Sequence, residues 1–485
     1  MNRRSFLRTV GAGIVGIGIA EQADTAPETR PNILWIVAED MSCHFGYQGE
    51  NLIKTPHVDQ LAAEGANFRR AYITAPVCSP SRSAMISGMY QTSIGGHHHR
   101  SSRGTAKIYL PEHVKLIPQL FREAGYYVCN VAGSNWDKQG KTDYNFVYPN
   151  DLYDHPDWNR RKRGQPFFAQ IQLHGGKDRG AKVANPVSPS DVTLPPYYPD
   201  DPLIREDWAR YLNSVIHVDD QIGETMARLR NEGVEDNTVV VFITDHGISH
   251  ARGKQFCYEE GVHIPFLVWA PKQIPAGTVR DDLVAHIDMA ATSLYFAGIP
   301  IPEYMESRPL FGPQARPRDY VVSARDRCDE TVDRIRGVRK GDHRYIRNFY
   351  PKRPYLQPCA YKDNKDILKR IRELHKKGKL NEVQELLMAE SRPPEELYDL
   401  RSDPYQIHNL ADNPAYKETL VDLRTTLETW IKETDDQGQY PEPDARYDSD
   451  MKVYVDGQKR NGRTAYAEEV EANIRLMKQW QAEGK

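Results

Sequence analysis

The chain has 485 residues and a formal net charge of −3, with a pI near 6.6 and a mean hydropathy of −0.68. That length suits one large domain or two unequal ones with substantial cores, and the near-neutral charge balance argues against a dedicated nucleic-acid binder. Six scattered cysteines without a CxxC pair exclude a zinc ribbon and a disulfide scaffold.

The chain opens on Asn2-Arg3-Arg4-Ser5-Phe6-Leu7-Arg8, followed by a weakly apolar, glycine-rich run over residues 9–20. This run is too short to span a bilayer and reads as an export signal. The paired arginines before Phe6-Leu7 are similar to a twin-arginine signal, with an ordinary Sec signal as the alternative. No other stretch is long and apolar enough to cross a membrane. The expectation is an exported protein, periplasmic or extracellular, with no stable membrane span.

Residues 32–38 are a continuous apolar run ending in Glu39 and Asp40. That suits a central parallel strand whose carboxyl end meets a ligand. Residues 55–64 carry an N-cap, a proline at the first helical position and helical spacing, and Gly65 stops them. Residues 68–73 predict a strand leading into Cys78. There Ser79 reads as an N-cap and Pro80 as the first residue of a short helix ended by Gly88. A helix is expected over 117–124 and a strand over 126–132. Another strand over 166–173 feeds His174-Gly175-Gly176-Lys177. Residues 206–230 have long helical periodicity, and the strand over 238–244 ends in Asp245-His246. Residues 264–270 and 284–297 continue the alternation. It predicts a doubly wound α/β fold with a mostly parallel sheet. After residue 315 the pattern changes to short strands (320–323, 337–339, 343–348, 396–400) and charged helices (366–390, 416–432), which suits a smaller C-terminal α+β subdomain. Beyond Asp436 the chain is polar, with several prolines, and reads as a loose wrap.

Cys78 would sit just before a helix N-terminus, where amides and dipole favour a thiolate. Arg82 lies one turn on. The same pattern also suits a buried structural cysteine. Glu39-Asp40 and Asp245-His246 bring three carboxylates to one rim, a hard-oxygen set for Ca²⁺ or Mg²⁺, though acids at strand ends also cap helices. Three adjacent histidines do not readily face one ion. His97-His98-His99-Arg100 therefore reads as a substrate-binding loop or a surface loop. Arg325-Asp326-Arg327 and the arginines between 334 and 347 could grip a polyanionic sugar or form a solvated strand face.

Cys78-Ser79-Pro80-Ser81-Arg82 followed by Ser87-Gly88 resembles the signature of the type I, formylglycine-dependent sulfatases of the alkaline phosphatase superfamily. The first strand with Glu39-Asp40, the Thr55-Pro56-His57-Val58-Asp59 helix, Thr244-Asp245-His246-Gly247, Gly253-Lys254 and Gly140-Lys141 resemble further family segments. Glu396-Leu397-Tyr398-Asp399-Leu400, the arginine-rich 336–347 stretch and Trp430 with Glu433-Thr434 and Asp436 resemble the heparan sulfamidase branch.

The resemblance implies an alkaline-phosphatase-like core. It implies that a maturation enzyme oxidises Cys78 to formylglycine (3-oxoalanine) before folding. Glu39, Asp40, Asp245 and His246, with the modified Cys78, would surround Ca²⁺ or Mg²⁺. Lys141 and Lys254 would hold sulfate, Arg82 would stabilise the nucleophile, and His174 or Lys177 would protonate the leaving atom. His98, His99, Arg100 and Arg325 would meet the substrate. The chain departs from the family pattern at Glu39 (aspartate), Asp143 (histidine) and Lys177 (histidine), and His246 stands in the usual asparagine place of a segment that also admits histidine. A sulfated glycosaminoglycan is the favoured substrate, an N-sulfated glucosamine end among the options. The rivals are an O-sulfatase on another sulfated glycan, a phosphoesterase of the same superfamily, and a non-catalytic sulfated-glycan binder. The expected division is an export signal (1–26), a catalytic α/β domain (27–318) and the C-terminal subdomain (319–485).

Overall fold

β1 (Asn32–Ala38) is buried along its whole length. Ile33, Trp35 and Val37 enter one core, while Leu34, Ile36 and Ala38 enter another. Alternation into two cores marks a sheet covered on both faces. The computed structural model describes residues 30–485, so the expected export signal lies outside the described residues.

Eight further strands complete the main sheet: β2 (Ala66–Tyr72), β3 (Tyr127–Ala132), β4 (Asn135–Gln139), β5 (Phe167–Leu173), β6 (Thr238–Thr244), β7 (His263–Ile264), β8 (Phe266–Trp269) and β9 (Thr278–Ala285). Their order is β4-β3-β5-β1-β6-β8-β2-β7, and β9 pairs with β2. β3, β5, β1 and β6 run parallel; β4 and β8 pair antiparallel with that central group. Ala38 aligns with Leu173 of β5 and with Thr244 of β6. Glu39, His174 and Asp245 are the next residues in each strand, so the register alone brings them out along one rim.

The helix Pro202–Asn231 packs in the second core through Ile204, Leu212, Val215, Val218 and Ile222. It also caps a neighbour. Asp219 accepts hydrogen bonds from the backbone N–H groups of Val58 (2.7 Å) and His57 (3.3 Å) at the start of the helix Pro56–Glu64.

A second, four-stranded antiparallel sheet follows: β10 (Tyr320–Arg325), β11 (Ile335–Lys340), β12 (His343–Asn348) and β13 (Glu395–Asp399), in that order. Its arginines correct one expectation. Arg325, Arg336, Arg339 and Arg344 are interior, not a solvated or sugar-gripping face, while Arg347 stays part-exposed beside Glu428. Arg336 is fully buried between Asp326 (3.0 Å) and Asp436 (2.7 Å), and Arg344 is buried against Glu259 (2.6 Å). Arg325 is 3% exposed and paired with Asp333.

The polar tail is also not a loose wrap. It folds into the helices Asp444–Arg460 and Thr464–Ala482. Tyr447, Met451 and Val455 recur every fourth residue and are buried, as are Ala467, Val470, Met477 and Trp480. A stripe this narrow stabilises a helix without raising average hydropathy. Among the described residues no helix is long and apolar enough to cross a membrane.

Candidate active site

The helix Cys78–Ser87 starts two residues earlier than its sequence suggests. Val77 is the N-cap and Cys78 the first helical residue. Pro80 still fits, because the first four helical N–H groups lack intrahelical acceptors. The Ser81 hydroxyl donates to the Asp245 carbonyl (2.6 Å), which fastens this helix to the carboxyl end of β6.

Cys78 is 3% exposed. Its Sγ lies 3.0 Å from His246 Nε2, 3.1 Å from Lys254 Nζ, 3.7 Å from Lys177 Nζ and 3.9 Å from Asp40 Oδ1. Asp40 takes a left-handed backbone (φ 54°), and its N–H donates to Asp245 Oδ1 (3.1 Å). This turn carries the second acid of the pair back toward β6. Gly175 and Gly176 allow the loop after β5 to pack directly on that backbone: a Cβ on Gly176 would lie 2.2 Å from the Asp40 carbonyl oxygen.

Four acids face four cations here. Arg82 reaches Asp245 Oδ2 (3.1 Å) and Glu39 Oε1 (3.3 Å), and donates to Gln172 (2.6 Å). Lys141 reaches Glu39 (3.1 Å) and Asp143 (3.3 Å). Lys254 reaches Asp40 (3.3 Å), and Lys177 pairs with Glu39. Burial works against the ionised form of Asp40, but Lys254 and His246 outweigh it and hold the carboxyl below its usual range. His246 and Arg82 do the same for Asp245 against its own burial. Burial also opposes the Lys254 charge, yet Asp40 and Cys78 keep it well above the ordinary lysine value. Lys177 differs. Burial and the neighbouring Lys254 push its ammonium down to about 7, with the Asp245 carboxylate opposing them.

Burial lowers His246 to about 4, so its ring is neutral near pH 7. Nδ1 lies 2.8 Å from the Gly247 carbonyl. A proton on Nδ1 donates there and leaves the Nε2 lone pair facing Cys78 and Asp40. The side-chain donors of Asp40, Cys78 and His246 come within 4.8 Å of one another, as do those of Glu39, Cys78 and Asp245. Three carboxylates with one neutral imidazole nitrogen fit a hard divalent cation.

The remaining expected residues divide. His174 is exposed and makes no side-chain hydrogen bond among the described residues. His99 reaches the site, one ring nitrogen lying within 4.8 Å of Cys78 Sγ and an Asp143 oxygen. Asp143 pairs with Arg103 and Lys141. His97, His98 and His99 are all buried, so this loop is interior. His98 Nδ1 accepts from the Arg327 N–H (3.3 Å). Arg325 belongs to the buried pair with Asp333 and not to the rim. Two rim residues have no motif to mark them. The Tyr361 hydroxyl lies 3.5 Å from Asp40 Oδ2, with Lys254 4.9 Å from its ring centre. Asp329 stands beside His99.

Comparison with known proteins agrees with this geometry. Residues 31–299 match the Sulfatase family model, and residues 246–390 match that of the N-sulphoglucosamine sulphohydrolase C-terminal domain. An ulvan-active sulfatase of Formosa agariphila is 32% identical over 85% of this chain and 76% of its own length. The Homo sapiens N-sulphoglucosamine sulphohydrolase is 25% identical over 84% of this chain and 91% of its own. A solved structure bound to D-glucosamine-2-N,6-O-disulfate shares the fold, with a TM-score of 0.59 at 18% identity, covering 84% of this chain and 98% of that one. A cysteine helix, two acid-bearing strand ends and a matching family model over more than half the chain lead to one conclusion: the chain belongs to the sulfatase family, as a sulfuric ester or sulfamate hydrolase.

Proposed function

We propose that this enzyme removes sulfate groups from a sulfated carbohydrate, with a formylglycine made from Cys78 and a divalent cation, Ca²⁺ or Mg²⁺, at the rim of the parallel strands. One observation carries the reading: a buried Cys78 at the first turn of a helix lies within 3.9 Å of Lys254, His246, Lys177 and Asp40. Glu39, Asp40, Asp245 and His246 would hold the cation, which would supply positive charge against sulfate oxygens. The hydrated aldehyde would supply one hydroxyl for attack on sulfur and a second for expelling sulfate afterwards.

The chain's own residues do the rest. Lys254 and Lys141 offer fixed ammonium groups to sulfate in a water-poor site, where preorganised charge acts most strongly. Arg82 locks Asp245 and Glu39 in place and adds charge beside the nucleophile. His246 keeps its proton on Nδ1, so Nε2 stays free to ligate. Lys177 holds a proton near the leaving oxygen or nitrogen and, at about 7, is poised to give it up. His174, exposed, is left outside this role.

The relatives named for ulvan and for N-sulphoglucosamine support a sulfated polysaccharide or glycosaminoglycan fragment, O- or N-sulfated. We take 27–318 as the catalytic domain, 319–485 as its subdomain, and the first 26 residues as a twin-arginine export signal. The test is production with a formylglycine-generating enzyme, mass analysis of the Cys78 peptide, and assay on glucosamine N-sulfate, N-acetylgalactosamine 6-sulfate and ulvan oligosaccharides. An aldehyde at position 78 with sulfate release supports the reading. A free thiol at Cys78 in active protein refutes the nucleophile.

A further inference from the structure

Asp329 follows β10 in the turn closed by Cys328 and Thr331. It is 3% exposed and has a left-handed backbone, φ 48°. Its Oδ1 lies 3.2 Å from His99 Nδ1 and 3.4 Å from Arg100 Nη1. Neither contact is a well-aligned hydrogen bond, and Oδ1 is a buried oxygen without a hydrogen-bond partner. The same is true of two neighbours, His99 Nε2 and Arg100 Nε. Buried polar atoms in folded proteins are overwhelmingly satisfied. Asp329 Oδ1 is charge-paired with His99 and Arg100, yet three atoms of one cluster keep hydrogen-bonding capacity that a polar ligand would use.

The cluster is tied to the nucleophile. The Arg100 N–H donates to Ser79 Oγ (2.8 Å), next to Cys78. Arg100 is also left-handed (φ 58°), so two non-glycine residues accept strain where they face each other. His99 bridges the two regions. One of its ring nitrogens lies within 4.8 Å of Cys78 Sγ, and one within 4.8 Å of an Asp329 oxygen and Cys328 Sγ. Behind them opens a cavity of about 300 Å³, lined by Arg100, Arg103, Asp329, Tyr454, Gln458 and Arg460. Its far wall is the helix Asp444–Arg460.

His99, Cys328 and Asp329 could be read as a metal cluster, but the Arg100 guanidinium already stands beside the same carboxylate oxygen and would repel a cation. An anionic group on the ligand would meet the carboxylate itself. A neutral hydrogen-bond donor is left. His99, within 4.8 Å of both Cys78 Sγ and an Asp329 oxygen, keeps this carboxylate near a sugar whose sulfate would lie over Cys78.

We propose that Asp329, positioned by His99 and Arg100, is the specificity-determining residue of the site, and that its carboxylate accepts hydrogen bonds from ring hydroxyls of the sugar that carries the sulfate. This rests on the sulfated-carbohydrate reading above. A site built to bond a hydroxyl strongly rejects an analogue that lacks it, because its own polar groups are then stranded.

The test compares kcat/KM on the best of the three sulfated sugars named above, on its mono-deoxy derivatives, and on 4-nitrophenyl sulfate, which has no ring hydroxyls. In wild type, one deoxy derivative loses about 10²-fold or more. In Asp329→Asn and Asp329→Ala the ratio of sugar to aryl-sulfate kcat/KM falls by about the same factor, and the variants no longer distinguish that deoxy sugar from its parent. The near-isosteric asparagine guards against a folding defect in the alanine variant, and thermal melts of both are recorded. An unchanged ratio in both variants overturns the proposal, as does full discrimination against the deoxy sugar in Asp329→Asn. Wild type that hydrolyses the aryl sulfate and none of the sulfated sugars overturns the carbohydrate reading itself. Sugar activity with an unchanged ratio overturns only the role of Asp329.

Discussion

Lys177→Ala isolates the proton that a sugar leaving group needs. Lys177 Nζ stands 3.7 Å from Cys78 Sγ and 3.7 Å from Asp40 Oδ1. Burial and Lys254 bring its ammonium down to about 7, so roughly half the molecules carry the proton near neutrality, where a general acid is most effective. The sign follows. The folded value lies below that of ordinary lysine, so the acid form is present below pH 7 and is lost as pH rises through it. With a poor leaving group, kcat/KM should fall about tenfold per pH unit above that point. Removing the acid should cost about 10²- to 10⁴-fold, or ~3–5 kcal/mol of barrier. The assay is kcat/KM against pH for a sulfated sugar and for 4-nitrophenyl sulfate, whose phenolate leaves without a proton. Lys177→Ala should lose most activity on the sugar, lose under about tenfold on the aryl sulfate, and lack the alkaline limb. Lys177→Arg keeps the charge but cannot release a proton, so it should follow the alanine variant. Equal losses on both substrates, or an alkaline limb that survives in Lys177→Arg, would refute the reasoning.

If Glu39, Asp40, Asp245 and His246 hold a divalent cation as proposed, chelation should abolish turnover and lower the melting temperature by a few degrees. Added Ca²⁺ at about 100 times its dissociation constant should restore ~2.7 kcal/mol of stability, and no shift on chelation would argue against a bound ion. Gly176→Ala forces a Cβ to 2.2 Å from the Asp40 carbonyl oxygen; it should cost about 1–3 kcal/mol by denaturant titration and depress turnover far more than a surface glycine change. Asp219 is pushed up to about 6 by burial, against the N–H groups of Val58 and His57 that it caps. Its folded value exceeds the unfolded one, so the folded state holds the extra proton between them, and stability should fall as pH rises from about 4 to about 6. Asp219→Asn should flatten that slope in melting curves, whereas a slope identical to wild type would assign it to other groups.

The parallel centre of the fold was legible because β1 and β6 are unbroken apolar runs with acids at their carboxyl ends. Two strands buried on both faces leave little else to infer. The cysteine helix and the acids at 39, 40 and 245 were legible for the same reason: chemistry and strand geometry fall on the same residues. What escaped depends on pairing across the chain. Arg325, Arg336 and Arg344 looked like a grip for polyanions, and only their acidic partners, distant in sequence in most cases, make them interior. Asp329 lies 230 positions from His99 and no local pattern announces it. His174 and Lys177 differ in exposure, which a loop sequence does not reveal. The tail helices escaped because Tyr447, Met451 and Val455 form one thin stripe in a polar stretch.

The 3% exposure of Cys78 has a consequence in time. On the proposed reading, a maturation enzyme that must grasp this thiol could not do so once His246, Lys254 and Lys177 have closed around it. If Cys78 is oxidised as proposed, a chain that folds first would be locked out of maturation for as long as it stays folded. The fraction of competent molecules is then decided by a race between two rates, and a faster-folding variant could be more stable yet less active.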